Sequence, residues 1–153
     1  SNQRIGAGEM APTTGPYNMR PPIMKVNVED SMDIMIVRDT ARRASSLLGF
    51  TPAHRAQLAT AAATLAELVL KTGDAHTINM NGVVNGLKVG LQISSETPWL
   101  TGVSSNNILV ALRSKLGDLV DEILLIGEDP PTILVVMWLD GSRAQANVKN
   151  DGE

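Results

Sequence analysis

The stretch Pro52–Lys71, PAHRAQLATAAATLAELVLK, constrains the fold more than any other part of the chain. Thr51 suits an N-cap, and Pro52 suits the first helical position, where the missing N–H has no intrahelical partner to lose. Gly73 stands just past the far end, where a left-handed residue commonly stops a helix. Leu58, Ala62, Leu65 and Val69 recur at i, i+4, i+7 and i+11, one continuous apolar stripe. The neighbouring stripe, Ala61, Thr64 and Leu68, is small, weakly polar and uncharged.

Around this helix the chain reads as strands and helices in one domain. Residues 1–22 are punctuated by Gly6, Gly8, Pro12, Gly15, Pro16, Pro21 and Pro22 and hold no apolar period, so they read as a flexible tail. Ser1-Asn2 reads as the remnant of a cleaved tag. Ile23–Val28 alternates apolar and polar, as a strand does. Glu29-Asp30-Ser31 caps a helix over Met32–Leu48 with Ile34, Val37, Ala41, Ala44 and Leu48 inward, and Gly49 ends it. Arg38, Arg42 and Arg43 lie on its other faces, as either a solvated surface or a docking patch for an acidic partner. Strands near His76–Gly82 and Leu87–Ser95 follow, with Asn85-Gly86 as a hairpin signal between them. Glu96–Ser105 is a loop, Asn106–Leu116 a short helix with Ile108, Leu109, Leu112 and Leu116 inward, and Val120–Ile126 a strand. Gly127–Pro131 is a turn before Thr132–Leu139, TILVVMWL, a strongly β-prone strand. Residues 141–153 are polar and read as a second flexible tail. The order β, α, α, β, β, loop, α, β, β carries too many hairpins for a doubly wound parallel sheet. It predicts an α+β domain over residues 23–140, a two-layer sandwich whose mixed, mostly antiparallel sheet is covered on one face by helices.

Composition narrows the function classes. Aromatic residues make up only 3%, so no stacking surface for single-stranded nucleic acid is expected. A net charge of −3 argues against a general phosphate-backbone binder, so no nucleic-acid partner is expected. The absence of cysteine removes disulfides, thiolate catalysis and Cys-type zinc sites, and it suits a reducing compartment. No apolar run reaches transmembrane length and no signal peptide is evident, so the expected place is the cytoplasm, away from membranes.

The run Val37–Lys71, VRDTARRASSLLGFTPAHRAQLATAAATLAELVLK, resembles the N-terminal half of the bacterial anti-sigma factor serine kinases, members of the histidine-kinase-like ATPase superfamily with the Bergerat fold. Arginines in the first helix, Leu-Gly-Phe at 48–50 and a Leu- and Ala-rich second helix with a Thr60-Ala61 step carry the likeness. Leu116–Leu139, LGDLVDEILLIGEDPPTILVVMWL, is similar to the end of the same family, so the resemblance spans residues 23–139. It implies the Bergerat fold, Mg-ATP as cofactor, and as partners a sigma factor or a small anti-anti-sigma-like protein with a phosphorylatable serine. It also implies homodimers through the sheet region.

The chain departs from the family where the family does its chemistry. The resemblance implies a Glu and, four residues later, a Mg²⁺-holding Asn on the second helix; the matching positions are Thr64 and Leu68. Magnesium takes oxygen ligands, and Leu68 has none. Thr64 has no carboxylate to accept a proton near neutral pH. Glu67 is one residue, or about 100°, around the helix. The family's Asp-x-Gly-x-Gly turn, whose Asp meets the adenine, has no counterpart, because no Asp occurs from Gly86 to Val103. Ser94, Ser95, Glu96, Thr97 and Pro98 occupy that turn, and a serine there could still make one hydrogen bond to a purine. The glycine-rich lid is reduced to Gly102-Val103-Ser104-Ser105-Asn106-Asn107, a poor phosphate cradle.

Other constellations are weaker. His54 and His76, the only histidines, have no carboxylates at ligand spacing and read as ordinary surface or half-buried side chains, so no metal site is expected. Ser45-Ser46 and Ser104-Ser105 lack a His-Asp pairing signal. Glu128-Asp129 reads as a solvated turn, and Gly6-x-Gly8 follows no strand, so it is no phosphate loop. Trp99 either plugs the vacated nucleotide pocket or stands out as an interface anchor; Trp138 reads as core or sheet-edge packing. The expectation is therefore a non-catalytic anti-sigma-factor-like regulator in a partner-switching pathway. Its degenerate pocket would comprise Thr64, Leu68, Ser94, Ser95 and Trp99, its docking surface Arg38, Arg42 and Arg43, and it would need no cofactor. The alternatives are an atypical ATP-dependent serine/threonine kinase and a small-molecule sensor that uses the altered pocket.

Overall fold

A computed structural model describes residues 15–71, 76–96, 105–127 and 131–139. Strand β1 (Asn18–Val28) leads into helices α1 (Met32–Leu48) and α2 (Pro52–Leu70). The hairpin β2 (His76–Asn85) and β3 (Lys88–Glu96) follows, then α3 (Ser105–Leu116), β4 (Glu122–Ile126) and β5 (Thr132–Leu139). The order of elements is the expected one.

Local chemistry sets the helix ends. Within the expected capping stretch Glu29-Asp30-Ser31 the aspartate makes the bond, joined by Asp33 of the first turn. Asp33 Oδ2 accepts the N–H groups of Glu29 and Asp30 at 2.8 and 3.2 Å, and Asp30 Oδ1 accepts that of Met32 at 2.9 Å, while Ser31 makes no side-chain cap bond. Gly49 ends α1 with φ 97°, and Phe50 N–H reaches back to the Ser45 carbonyl at 3.1 Å, a left-handed cap. Thr51 Oγ1 accepts the His54 N–H at 3.3 Å and Pro52 opens α2. The helix closes at Leu70, and Gly73 lies outside the described residues.

The sheet has the order β1-β2-β3-β5-β4, and every pairing in it is antiparallel, which corrects the expectation of a mixed sheet. The crossover from β3 through α3 returns β4 parallel to β3, but β5 lies between them and pairs antiparallel with each, so no parallel ladder forms. The β2–β3 turn is Gly86-Leu87, one residue beyond the expected Asn85-Gly86, with Gly86 at φ 65°. β1 starts at Asn18, so residues 18–22, assigned above to the tail, form the first half of a strand. Two prolines hide its alternation. They fit because β1 is an edge strand and its pairing with β2 shifts register between Arg20 and Ile23.

The two sheet faces follow from the register. Met80, Ile93, Val135 and Ile123 form one cross-strand row, and Ile78, Ile133 and Leu125 the next, on the side covered by the helices. Leu58, Ala62, Leu65 and Val69 of α2, and Val37, Ala41 and Ala44 of α1, are buried in the core with these rows, as their spacing predicts. Ile108, Leu112 and Leu116 of α3 join them. The opposite face carries Val83, Val136 and Trp138, and Tyr17 packs against that trio.

Candidate functional site

The second stripe of α2 is where the sequence places the altered pocket. Ala61 is buried, and Thr64 and Leu68 are half-buried. Thr64 Oγ1 donates to the Thr60 carbonyl at 2.9 Å, the back-bond typical of a mid-helix threonine, so its one proton is spent on its own helix. Leu68 packs against the main core. Glu67 is exposed, turned away from that core. Ala61, Thr64 and Leu68 carry no carboxylate, amide or imidazole.

Ser94 and Ser95 do not share a pocket. Both belong to β3 rather than to a turn, paired with Leu134 and Ile133 of β5. Successive strand residues face opposite sides of a sheet. Ser95 is on the helix side, where its Oγ donates to the Thr77 carbonyl at 3.1 Å. Ser94 is on the far side, with Gln92. Trp99 and the remnant lid from Gly102 to Ser104 lie outside the described residues, as do Glu128 and Asp129. The degenerate pocket is therefore split: Thr64, Leu68 and Ser95 lie on the helix side, and Ser94 behind the sheet. Among the described residues no His, Cys, Asp and Glu side chains group as metal ligands, and no helix is long and apolar enough to cross a membrane.

The far side holds a network that the sequence did not announce. Tyr17 Oη donates to Glu122 Oε1 at 2.6 Å, and Trp138 Nε1 donates to Glu122 Oε2 at 2.8 Å. The two rings meet edge-to-face with centroids 4.9 Å apart. Lys88 Nζ lies 5.4 Å from the Trp138 ring centre, and Asp121 Oδ2 accepts the Trp138 backbone N–H at 2.7 Å. The hydrogen bond to Glu122 comes first among the causes that push the Tyr17 phenol up to about 12, ahead of burial and the charge of Glu122. A bond to a charged acceptor is worth about 1.5–3 kcal/mol and an aromatic pair about 0.5–1.5 kcal/mol. Together they pin Tyr17, at the start of one edge strand, to Glu122 on the other edge. Gly15, two residues before Tyr17 in the same strap, lies against the sheet: a Cβ there would collide with Leu134 and stand 2.8 Å from Gln92 Oε1. Both amide atoms of Gln92 and the hydroxyl of Ser94 are buried without a hydrogen-bond partner among the described residues, at about 1–3 kcal/mol for each group.

The outward side of α1 is a third surface. Arg42 and Arg43 are exposed and Arg38 is half-buried at the flank. Beside them, Met32, Met35, Ile36 and Leu47 are 76, 63, 51 and 68% exposed. Met32, Ile36, Asp39, Arg43 and Leu47 follow one another at i, i+4, i+7, i+11 and i+15, so the apolar residues and one arginine share a stripe. The sequence carries the signal: α1 has more apolar residues than its inward face can use. Apolar patches flanked by arginine and methionine are typical of protein-binding surfaces.

No protein-family model matches the chain, and no curated protein matches it.

Proposed function

We propose that this chain is a non-catalytic regulator, an anti-sigma-factor-like protein of the histidine-kinase-like ATPase type that binds protein partners in a bacterial partner-switching pathway in the cytoplasm. The observation that carries the proposal is the outward side of α1, where Met32, Met35, Ile36 and Leu47 stand in water beside Arg42 and Arg43. A partner with an apolar ridge and acidic flanks fits this surface by both burial and charge, and a sigma factor or an anti-anti-sigma-like protein is the partner the proposal assigns to it. The α2 stripe agrees with a scaffold rather than a kinase: Leu68 is committed to core packing and Thr64 to its own backbone. The same two residues speak against the sensor alternative, since neither aims a free polar group at a ligand.

The test has two arms. Calorimetry with ATP and Mg²⁺ is expected to give no binding in the micromolar range. Titration with individual purified sigma factors and antagonist proteins of the source bacterium is expected to find one that binds. Its affinity should fall about tenfold or more in Arg42→Glu/Arg43→Glu, since reversing a facing charge costs more than 1.4 kcal/mol. Micromolar Mg-ATP binding with phosphate transfer to a partner serine would establish the kinase alternative instead.

A further inference from the structure

The strap over the back of the sheet does more than close a surface. Its hold is concentrated at one end, where Tyr17 and Trp138 share the two oxygens of Glu122. Its other described end, Gly15, touches the sheet over Leu134 and Gln92. Beneath it Gln92, 0% exposed, has both amide atoms without a hydrogen-bond partner among the described residues. The seated strap thus satisfies Glu122 and the apolar trio of Val83, Val136 and Trp138, while it strands one polar side chain that water would satisfy at once. The two terms oppose each other on neighbouring rows of the same face.

We infer that Gly15-Pro16-Tyr17 is a displaceable cover, a strap that closes the back face of the sheet in cis through the Tyr17–Glu122–Trp138 latch and lifts without unfolding the domain. The occupant of the face in the closed state is this segment of the chain itself. Lifting it frees Gln92 to bond with solvent and uncovers Val83, Val136 and the Trp138 ring. The described contacts of the strap are with back-face side chains, Leu134, Gln92, Val83, Val136, Trp138 and Glu122, so the movement does not involve the helix side of the sheet. The inference goes beyond the regulator proposal and does not need it, since it concerns a different face.

The chain has no cysteine, so an introduced one reports alone. Val136→Cys places a thiol under Tyr17, and Ser45→Cys places one in the helix-side core, where it answers only to global opening. In full-length protein, reaction with a soluble disulfide reagent is followed for each, with and without Tyr17→Phe, which keeps the ring but removes the donor. The expected result is that labelling at 136 accelerates by about tenfold or more while labelling at 45 changes by less than about twofold, the pattern of a local opening. Equal acceleration at both positions, or no acceleration at 136, would overturn the inference, since the strap would then be a fixed part of the domain. If either cysteine variant does not fold, Val83→Cys and Ala62→Cys report on the same two faces.

Discussion

On the helix side of the sheet, the row Met80, Ile93, Val135 and Ile123 joins α1, α2 and α3 in one largely apolar core, in which the buried Ser45 and Ser95 hydroxyls donate to backbone carbonyls. One residue over, the row Asn81, Gln92, Val136 and Glu122 on the other side is crossed by the strap at Gly15–Tyr17. The strands are the same, and only the pleat separates the rows. The difference teaches that a sheet face can be closed in two ways. Continuous apolar packing is stable because no part can leave alone. A strap fixed by a few directional bonds can be undone at one point.

The comparison breaks first, if it breaks, at the helix face. Leu65 is fully buried in α2, and Leu65→Ala is expected to cost about 2–5 kcal/mol in urea denaturation. Gly15→Val, which cannot sit against Leu134 and Gln92, is expected to cost about 1–3 kcal/mol, the range for overpacking, because the strap can move off where a core helix cannot. A larger loss for Gly15→Val than for Leu65→Ala would reverse the ranking of the two faces.

The latch has its own pH signature. Tyr17 is the only tyrosine, so its titration is unambiguous. Its pKa is raised from 10.0 to about 12 in the folded chain. The neutral phenol donates to Glu122, so the latch contributes its full stability below pH 10 and loses it as the pH rises through about 12. Phenolate absorbance should therefore appear later in the folded protein than in urea, and Glu122→Gln, which takes away the facing charge, should shorten the delay. Coincident titration curves would mean that Tyr17 is not held.

How much of this was legible from the residues depended on which force left a period. The apolar spacing in α1, α2 and α3 and the β-rich run of β5 announced the helix face, because burial of a regular element must repeat at 3.6 or 2 residues. The strap left no period. Gly15 read as loop punctuation, although its smallness serves close contact with Leu134, and the Tyr17–Glu122 bond joins residues 105 apart in the chain, a separation no local pattern encodes. Pro21 and Pro22 concealed the first half of β1. Ser94 and Ser95 were grouped as one site because the resemblance put both in the turn after the hairpin, yet they belong to a strand, whose two-residue period sends them to opposite sides. The docking expectation at Arg38, Arg42 and Arg43 falls on a helix with an exposed side, and it did not include Met32, Met35, Ile36 and Leu47, which give that side its apolar area.

Gln92 sharpens the comparison at smaller scale. If both ends of its amide are unpaired beneath the strap, Gln92→Leu removes a stranded polar group and keeps most of the volume. The expected change is within about 1 kcal/mol of zero and on the stabilising side, because replacing an unsatisfied group by an apolar one of similar shape relieves its desolvation penalty. A loss above about 2 kcal/mol would show that Gln92 is bonded in the closed state, and the back face would then be as settled as the front.

The smallest effect on stability belongs to the outward side of α1, and it separates folding from binding. Met32 and Met35 are 76 and 63% exposed, so their side chains are already in water in the folded chain. Met32→Ser/Met35→Ser should leave the urea midpoint almost unchanged, within about 0.5 kcal/mol, since surface substitutions away from caps and core contacts rarely exceed that. The same variant should lose the partner found by titration, because removing two apolar side chains from the middle of an interface takes away area that is buried only in the complex. A fall in stability as large as that for Gly15→Val would place these methionines in the fold rather than at its surface, and the apolar stripe on α1 would then have an intramolecular cause.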